Sequence, residues 1–230
     1  MMQPQGPVAW HRFATLADAS EALAEAVAIR LRALLAGQGK ASLAVPGGTT
    51  PARFLAALGM RDLAWEKVTL LPTDERFVTA DEAASNERMI RAQFAPLREG
   101  RVRFLSFHGH GQDIQAAAAV LASKLASQPP LDLVVSGMGA DGHIASLFPG
   151  EEARFGARPD SGICIATPPG LPQRLSLSPA RLSGAGWASL LVSGAQKEAV
   201  LKAAPDRPAP LPVDLLLDRP QGLDVYWANE

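Results

Sequence analysis

Apolar residues return along this chain with two different periods. Between Leu16 and Ala36, the residues Leu23, Val27, Leu31, Leu34 and Leu35 recur at helical spacing among Asp18, Glu21, Glu25, Arg30 and Arg32. That pattern predicts an amphipathic helix covering a sheet, opened by the capping pair Thr15 and Asp18 and closed by Gly37. Short runs rich in strand formers follow at Ser42–Val45, Val68–Leu71, Val102–Leu105, Leu131–Val135, Gly162–Ala166, Arg174–Leu177, Leu190–Val192 and Val225–Trp227. Between them lie helical stretches: Pro51 to about Gly59, Glu87–Phe94, the alanine-rich Gln112–Ser127 stopped by Pro129-Pro130, and a helix ending near Ala203. Glu151–Gly162 reads as a charged, irregular connection and Pro205–Pro212 as a linker. Strands alternating with helices predict an α/β fold whose parallel sheet presents its connecting loops along one rim.

Several of those loops carry chemistry-bearing residues. Pro46-Gly47-Gly48-Thr49-Thr50-Pro51 turns from a strand into a helix, with Thr50 as the expected N-cap and Pro51 as the first helical residue. Two glycines, two hydroxyls and a helix N-terminus suit a phosphate or carboxylate. No Gly-Lys-Ser/Thr follows, so the loop is not a P-loop. Thr73-Asp74-Glu75-Arg76 puts three charges directly after a buried strand, and Ser85-Asn86 can cap the helix behind it.

The run Leu131–Gly150 begins as a buried strand and passes through Gly137, Gly139 and Gly142, with Asp141 and His143 two residues apart among them. A dinucleotide reading of Gly137-Met138-Gly139-Ala140-Asp141-Gly142 fails because Pro149 follows too soon for a long crossover helix. His108-Gly109-His110 could ligate a metal, yet no acidic or histidine cluster at a familiar spacing completes a site. Lys197 sits near a helix start, where the macrodipole prefers acids; a phosphate ligand would account for it.

Composition narrows the classes. With 22 Lys plus Arg against 23 Asp plus Glu, the net charge of -1 argues against a general nucleic-acid or anionic-membrane binder. Cys164 is the only cysteine, which excludes an internal disulfide and fits a reducing, cytoplasmic setting. The start of the chain lacks a basic segment followed by an apolar one, so no secretory signal is expected. At 230 residues the expectation is one domain spanning the chain.

The motifs PGGTTP at 46–51, DERFV at 74–78, SN at 85–86, GMGADGHIASLFPG at 137–150, RLSLS at 174–178 and SGAQK at 193–197 together resemble the 6-phosphogluconolactonase family, in the family's order and over most of the chain. The resemblance implies a single Rossmann-like α/β domain, mostly parallel sheet with helices on both faces, of the kind shared with sugar-phosphate isomerases and deaminases. It implies hydrolysis of 6-phospho-D-glucono-1,5-lactone to 6-phospho-D-gluconate in the pentose phosphate pathway, with no metal or other cofactor. In that reading His143 is the general base, Asp74 its polar partner, and Arg76 faces the substrate. Gly47, Gly48, Thr49, Thr50, Arg174 and Lys197 hold the 6-phosphate, and Asp141 and Gly142 belong to the substrate-binding set. The partner is a small phosphorylated sugar lactone, neither nucleic acid nor membrane, and the protein a monomer or small homo-oligomer.

Two rivals follow from the same residues. A glucosamine-6-phosphate deaminase would carry an acid near the position of Phe148, where Ser146-Leu147-Phe148-Pro149 offers none. A non-catalytic sugar-phosphate sensor would need the phosphate groups but no base, and the chain shows neither a helix-turn-helix segment nor a basic stripe. An acyl-serine mechanism is disfavoured by the absence of a G-x-S-x-G elbow.

Overall fold

Alternation along the strands sorts the core into two halves. Leu43, Val45, Leu70, Val135, Leu191 and Tyr226 pack with the helix residues Leu23, Val27, Leu31, Phe54 and Leu58. Their sequence neighbours Ala44, Leu71, Val134, Leu190, Val192 and Val225 pack instead with Leu121, Leu125, Leu175, Leu177, Leu201 and Leu216. A side-chain period of two places such neighbours on opposite faces of a sheet, and both faces here are covered.

The computed structural model describes residues 6–111, 113–150 and 162–230. The elements run β1 (Val8–Phe13), α1 (Leu16–Gln38), β2 (Ala41–Val45), α2 (Thr50–Gly59), β3 (Val68–Pro72), β4 (Asp74–Arg76), α3 (Asn86–Gln93), α4 (Ala95–Arg98), β5 (Arg103–Phe104) and α5 (Ile114–Ala126). They continue as β6 (Leu133–Ser136), β7 (Ile163–Ala166), β8 (Arg174–Leu177), α6 (Pro179–Ser183), β9 (Trp187–Ser193), α7 (Ala195–Lys202), α8 (Asp214–Leu217) and β10 (Leu223–Ala228). One sheet has the order β1-β10-β9-β6-β2-β3-β5 with every pairing parallel. A second, antiparallel sheet has the order β4-β8-β7. The doubly covered, mostly parallel α/β fold expected from the sequence is present.

Four features differ from the sequence reading. Helix α1 closes at Gly39 rather than Gly37: Gly39 takes φ 74° and its N–H reaches the Leu35 carbonyl, so the left-handed cap falls one half-turn later. Strand β1 was not expected, since His11 and Arg12 interrupt its apolar run; it lies at the sheet edge, paired only with β10. Asp74–Arg76, read as a charged turn, is a strand of the small sheet. Within Pro205–Pro212, read as a linker, Ala204–Asp206 forms a 3-10 turn, and α8 follows directly. The expected irregular connection from Glu151 lies outside the described residues up to Gly162. No helix among the described residues is long and apolar enough to cross a membrane.

Candidate active site

The carboxyl ends of β2, β3 and β6 adjoin in the sheet, so the loops that follow them meet at one rim. After β2 the backbone passes through Gly47, where an added Cβ would lie 1.8 Å from Asn86 Oδ1, and Gly48, with φ 98°. Only glycine admits that close approach and that left-handed backbone. Helix α2 then starts at Thr50, with Thr49 as the N-cap instead of the expected Thr50, and the Thr49 side chain makes no capping bond. The positive end of α2 is left open toward the rim, as anion binding requires.

After β3, Asp74 and Arg76 project from β4. The Asp74 carboxylate is buried and accepts from the Ser146 hydroxyl at 2.5 Å and the Thr73 hydroxyl at 3.1 Å. Asn86, the first residue of α3, joins the walls: its Nδ2 donates to the Asp74 carbonyl at 2.8 Å and its Oδ1 accepts from Arg76 Nη1. Arg76 also donates to the Ala84 carbonyl at 3.0 Å. Arg174 enters from β8 directly opposite Arg76. Burial and then Arg76 lower the Arg174 pKa, while Asp74 opposes them, and its buried Nε has no hydrogen-bond partner among the described residues.

The loop after β6 folds back on itself. Gly139 N–H donates to the His143 carbonyl at 2.9 Å, and Gly142 N–H to the Gly139 carbonyl at 3.0 Å. Gly142 has φ 84°, which returns the chain so that Asp141 Oδ1 meets His143 Nδ1 at 2.6 Å. A Cβ on Gly139 would stand 2.2 Å from His143 Nδ1 and 2.5 Å from Asp141 Oδ1. Asp141 also accepts from the His143 backbone N–H at 3.2 Å. Burial raises the Asp141 pKa, but the His143 backbone N–H and imidazole outweigh it, and the carboxyl stays below its usual range. A carboxylate at Nδ1 holds the proton on that nitrogen and leaves Nε2 as an acceptor.

The expectation that Asp74 partners His143 is therefore corrected. Asp74 is taken by Ser146 and Thr73, and Asp141, expected among the substrate-binding residues, is the carboxylate on the imidazole. The ring of His143 lies against Phe148, centroids 4.7 Å apart, and the Arg174 guanidinium carbon sits 5.3 Å from the centre of the same Phe148 ring. Ala145 takes φ 48°, the one left-handed non-glycine among the described residues, between His143 and Ser146. A later segment braces the loop from behind. Val213 N–H donates to the Gly142 carbonyl at 3.0 Å, and the Leu211 side chain fills the space a Gly142 Cβ would need, 2.6 Å away. Leu211 N–H is held by Asp214 Oδ2 at 2.7 Å, and Asp214 pairs with Arg207 at 3.3 Å.

Gly47, Asp74, Arg76, His143 and Arg174 line one cleft together with Pro46, Asn86, Gly137 and Ala145. Its cavity of about 100 Å3 is well below the roughly 300–1,000 Å3 of a closed ligand pocket, so a sugar phosphate would lie partly over the rim. Gly48, Thr49 and Thr50 continue from Gly47 without lining that cavity, and Asp141 and Gly142 stand behind His143. Lys197 does not line it either; it is the third residue of α7, which follows β9, the strand beside β6. It makes no ion pair among the described residues, and burial lowers its pKa. Asn86 and Phe148 were missed as site residues: Ser85-Asn86 reads as a helix cap, and nothing local marks Phe148 as an imidazole's neighbour.

His108 and His110 diverge. His108 Nε2 bonds Glu75 Oε2 at 3.0 Å, whereas His110 Nε2 bonds the Ser106 carbonyl at 2.8 Å. Among the described residues no three His, Cys, Asp or Glu side chains converge as metal ligands would.

Residues 14–227 match the family model described as glucosamine-6-phosphate isomerases/6-phosphogluconolactonase. The chain is 38% identical over 227 residues to a 6-phosphogluconolactonase of Rhizobium meliloti (strain 1021), covering 95% of this chain and 97% of that one. It is likewise 38% identical over 226 residues to a 6-phosphogluconolactonase of Mesorhizobium japonicum, covering 95% and 94%. The crystal structure of a 6-phosphogluconolactonase from Shewanella baltica OS155 superposes with a TM-score of 0.87 at 31% identity, covering 99% of each chain. Matched along nearly its whole length, the chain belongs to the family of glucosamine-6-phosphate isomerases and 6-phosphogluconolactonases.

Proposed function

We propose that this protein hydrolyses 6-phospho-D-glucono-1,5-lactone to 6-phospho-D-gluconate. The observation that carries the reading is the His143 imidazole, its Nδ1 held by Asp141 at 2.6 Å, in the same cleft as Arg76 and Arg174. The two guanidiniums and the open start of α2 bind the phosphate, with Lys197 adding charge from the first turn of α7. Gripping the phosphate away from the reacting carbon orients the lactone through remote binding energy.

His143 Nε2 takes a proton from a water whose oxygen bonds to C1, and the carbonyl electrons move onto oxygen. Positioned proton transfer of this kind is worth roughly 10²–10⁴-fold. The rim N–H groups stabilise the oxyanion, at about 10²–10³-fold per well-placed donor. On collapse the bond from C1 to the ring oxygen breaks, the ring oxygen takes the proton from His143 and becomes a hydroxyl, and the new acid ionises. Phe148 beside His143 favours this reaction over deamination, because the deaminases that resemble this loop place an acid near that position. The balanced charge and the single, buried Cys164 support a cytoplasmic enzyme.

The test is lactone disappearance at controlled pH with and without protein, since this lactone also hydrolyses unaided. Acceleration that His143→Ala abolishes is the expected result. Ammonia release from glucosamine 6-phosphate with no acceleration over the blank would reverse the assignment.

A further inference from the structure

Behind the anion cleft sits a carboxylate that the reaction does not use. Glu75, between Asp74 and Arg76 on β4, is buried. Its Oε1 accepts from the backbone N–H groups of Arg76 at 2.8 Å and Asn86 at 2.7 Å. Its Oε2 accepts from the Glu87 N–H at 2.7 Å, the Ser85 hydroxyl at 3.2 Å and His108 Nε2 at 3.0 Å. One side chain thus fixes the start of α3, and with it Asn86, which bonds Arg76 and the Asp74 carbonyl and fills the space a Cβ on Gly47 would need.

Electrostatically this is an awkward place for a negative charge. An unneutralised carboxylate directly behind two arginines weakens the field they present to an incoming phosphate, most of all in a poorly solvated wall. The cation that can neutralise it is a protonated His108, whose Nε2 lies 3.0 Å from Glu75 Oε2.

We propose that His108 is a positioning residue of the anion cleft, whose positive charge on Glu75 is needed for tight binding of a phosphorylated ligand. The inference deepens the sugar-phosphate reading of that cleft and rests on it. His108 lies outside the cleft, in a neighbouring one of about 720 Å3 that shares only Arg76 with it, so the effect passes through Glu75 and Asn86. The charged groups around His108 are Glu75 on β4, Glu87 on α3 with its partner Arg91, Arg76 and Glu82 across the neighbouring cleft, and His110 with Lys124 on its own side. The hydrogen bond to Glu75 raises the His108 pKa, burial opposes it, and the charges of Glu75 and Glu87 and a bond to the Val78 backbone add to the rise. Burial pushes the Glu75 pKa up, but His108 and the Asn86 and Glu87 N–H groups more than reverse that, leaving it lowered. Anion affinity should therefore be full below the titration of His108 and fall as pH rises through its raised pKa.

Calorimetric titration with 6-phosphogluconate from about pH 6 to about pH 9 tests this on the full chain. Wild type should lose affinity roughly fivefold or more across His108 deprotonation, and His108→Gln, which keeps a hydrogen bond but not the charge, should bind weakly with little of that slope. The same affinity and slope in His108→Gln would overturn the inference while leaving the cleft reading intact. No binding by folded wild type would overturn both. Should the variant not fold, nitrogen NMR of the wild-type imidazole decides: by reciprocity the ligand must raise the His108 titration midpoint, and an unmoved midpoint sinks the proposal.

Discussion

Arg76 and Arg174 stand directly opposite each other on the antiparallel strands β4 and β8. Like charges in that position cost roughly 0.2–1 kcal/mol in a sheet, and neither guanidinium has an ion-paired carboxylate among the described residues. Asp74, the acid whose charge acts on Arg174, spends its oxygens on Ser146 and Thr73. A pair of cations kept apart from counter-charges in this way suits an anion supplied from solution.

Binding should accordingly act through that pair. Inorganic phosphate is expected to raise the melting temperature of the wild type, by about 2.7 kcal/mol of stabilisation at a hundred times its Kd, whereas Arg174→Ala should respond little. In the same variant KM should rise by about ten- to a hundredfold, the value of a charge-assisted hydrogen bond. A phosphate-induced shift of wild-type size in Arg174→Ala, read by calorimetry, would place the anion elsewhere.

Asp141 fixes which His143 nitrogen carries the proton, so Asp141→Asn should lower kcat with little change in KM. The loss should be about 10- to 100-fold, short of the roughly 10⁴-fold for a fully buried triad carboxylate, because the Asp141 side chain is 53% exposed. Blank-corrected initial rates at fixed pH measure it. An unchanged kcat would mean that the 2.6 Å contact does not serve the reaction.

Leu211 occupies the space that a side chain at Gly142 would need, and Val213 holds the Gly142 carbonyl. Truncation in Leu211→Ala should cost about 1–2 kcal/mol of stability, at the low end for large-to-small changes because the side chain is only partly buried. The informative reading is kinetic. The proposed phosphate contacts lie on other elements, so kcat should fall several-fold while the Ki for 6-phosphogluconate stays within about twofold. A Ki that rises in step with the loss of kcat would assign Leu211 to general stability instead.

The sequence disclosed the parallel sheet because its central strands are apolar on both faces and run into glycine-rich or charged loops. It also disclosed the rim, since Gly47, Asp74 and His143 each follow such a strand. Strand β1 was illegible because an edge strand needs only one inward face, and His11 and Arg12 point the pattern toward solvent. The small antiparallel sheet was hidden for a different reason: three residues as polar as Asp74-Glu75-Arg76 form a strand only through Arg174–Ser176, a hundred positions later in the chain. The partner of His143 was misread because choosing between Asp74 and Asp141 depends on the left-handed turn at Gly142 and on Ser146 reaching Asp74. Neither has a local signature.

Ala145 keeps a left-handed backbone between the imidazole and Ser146, a conformation that costs a residue with a Cβ about 1–2 kcal/mol. Glycine there would relieve that cost and at the same time release the geometry that aims the two flanking side chains. Attempts to make this enzyme hardier by easing its least comfortable residue would thus begin at the spot where durability and turnover are opposed.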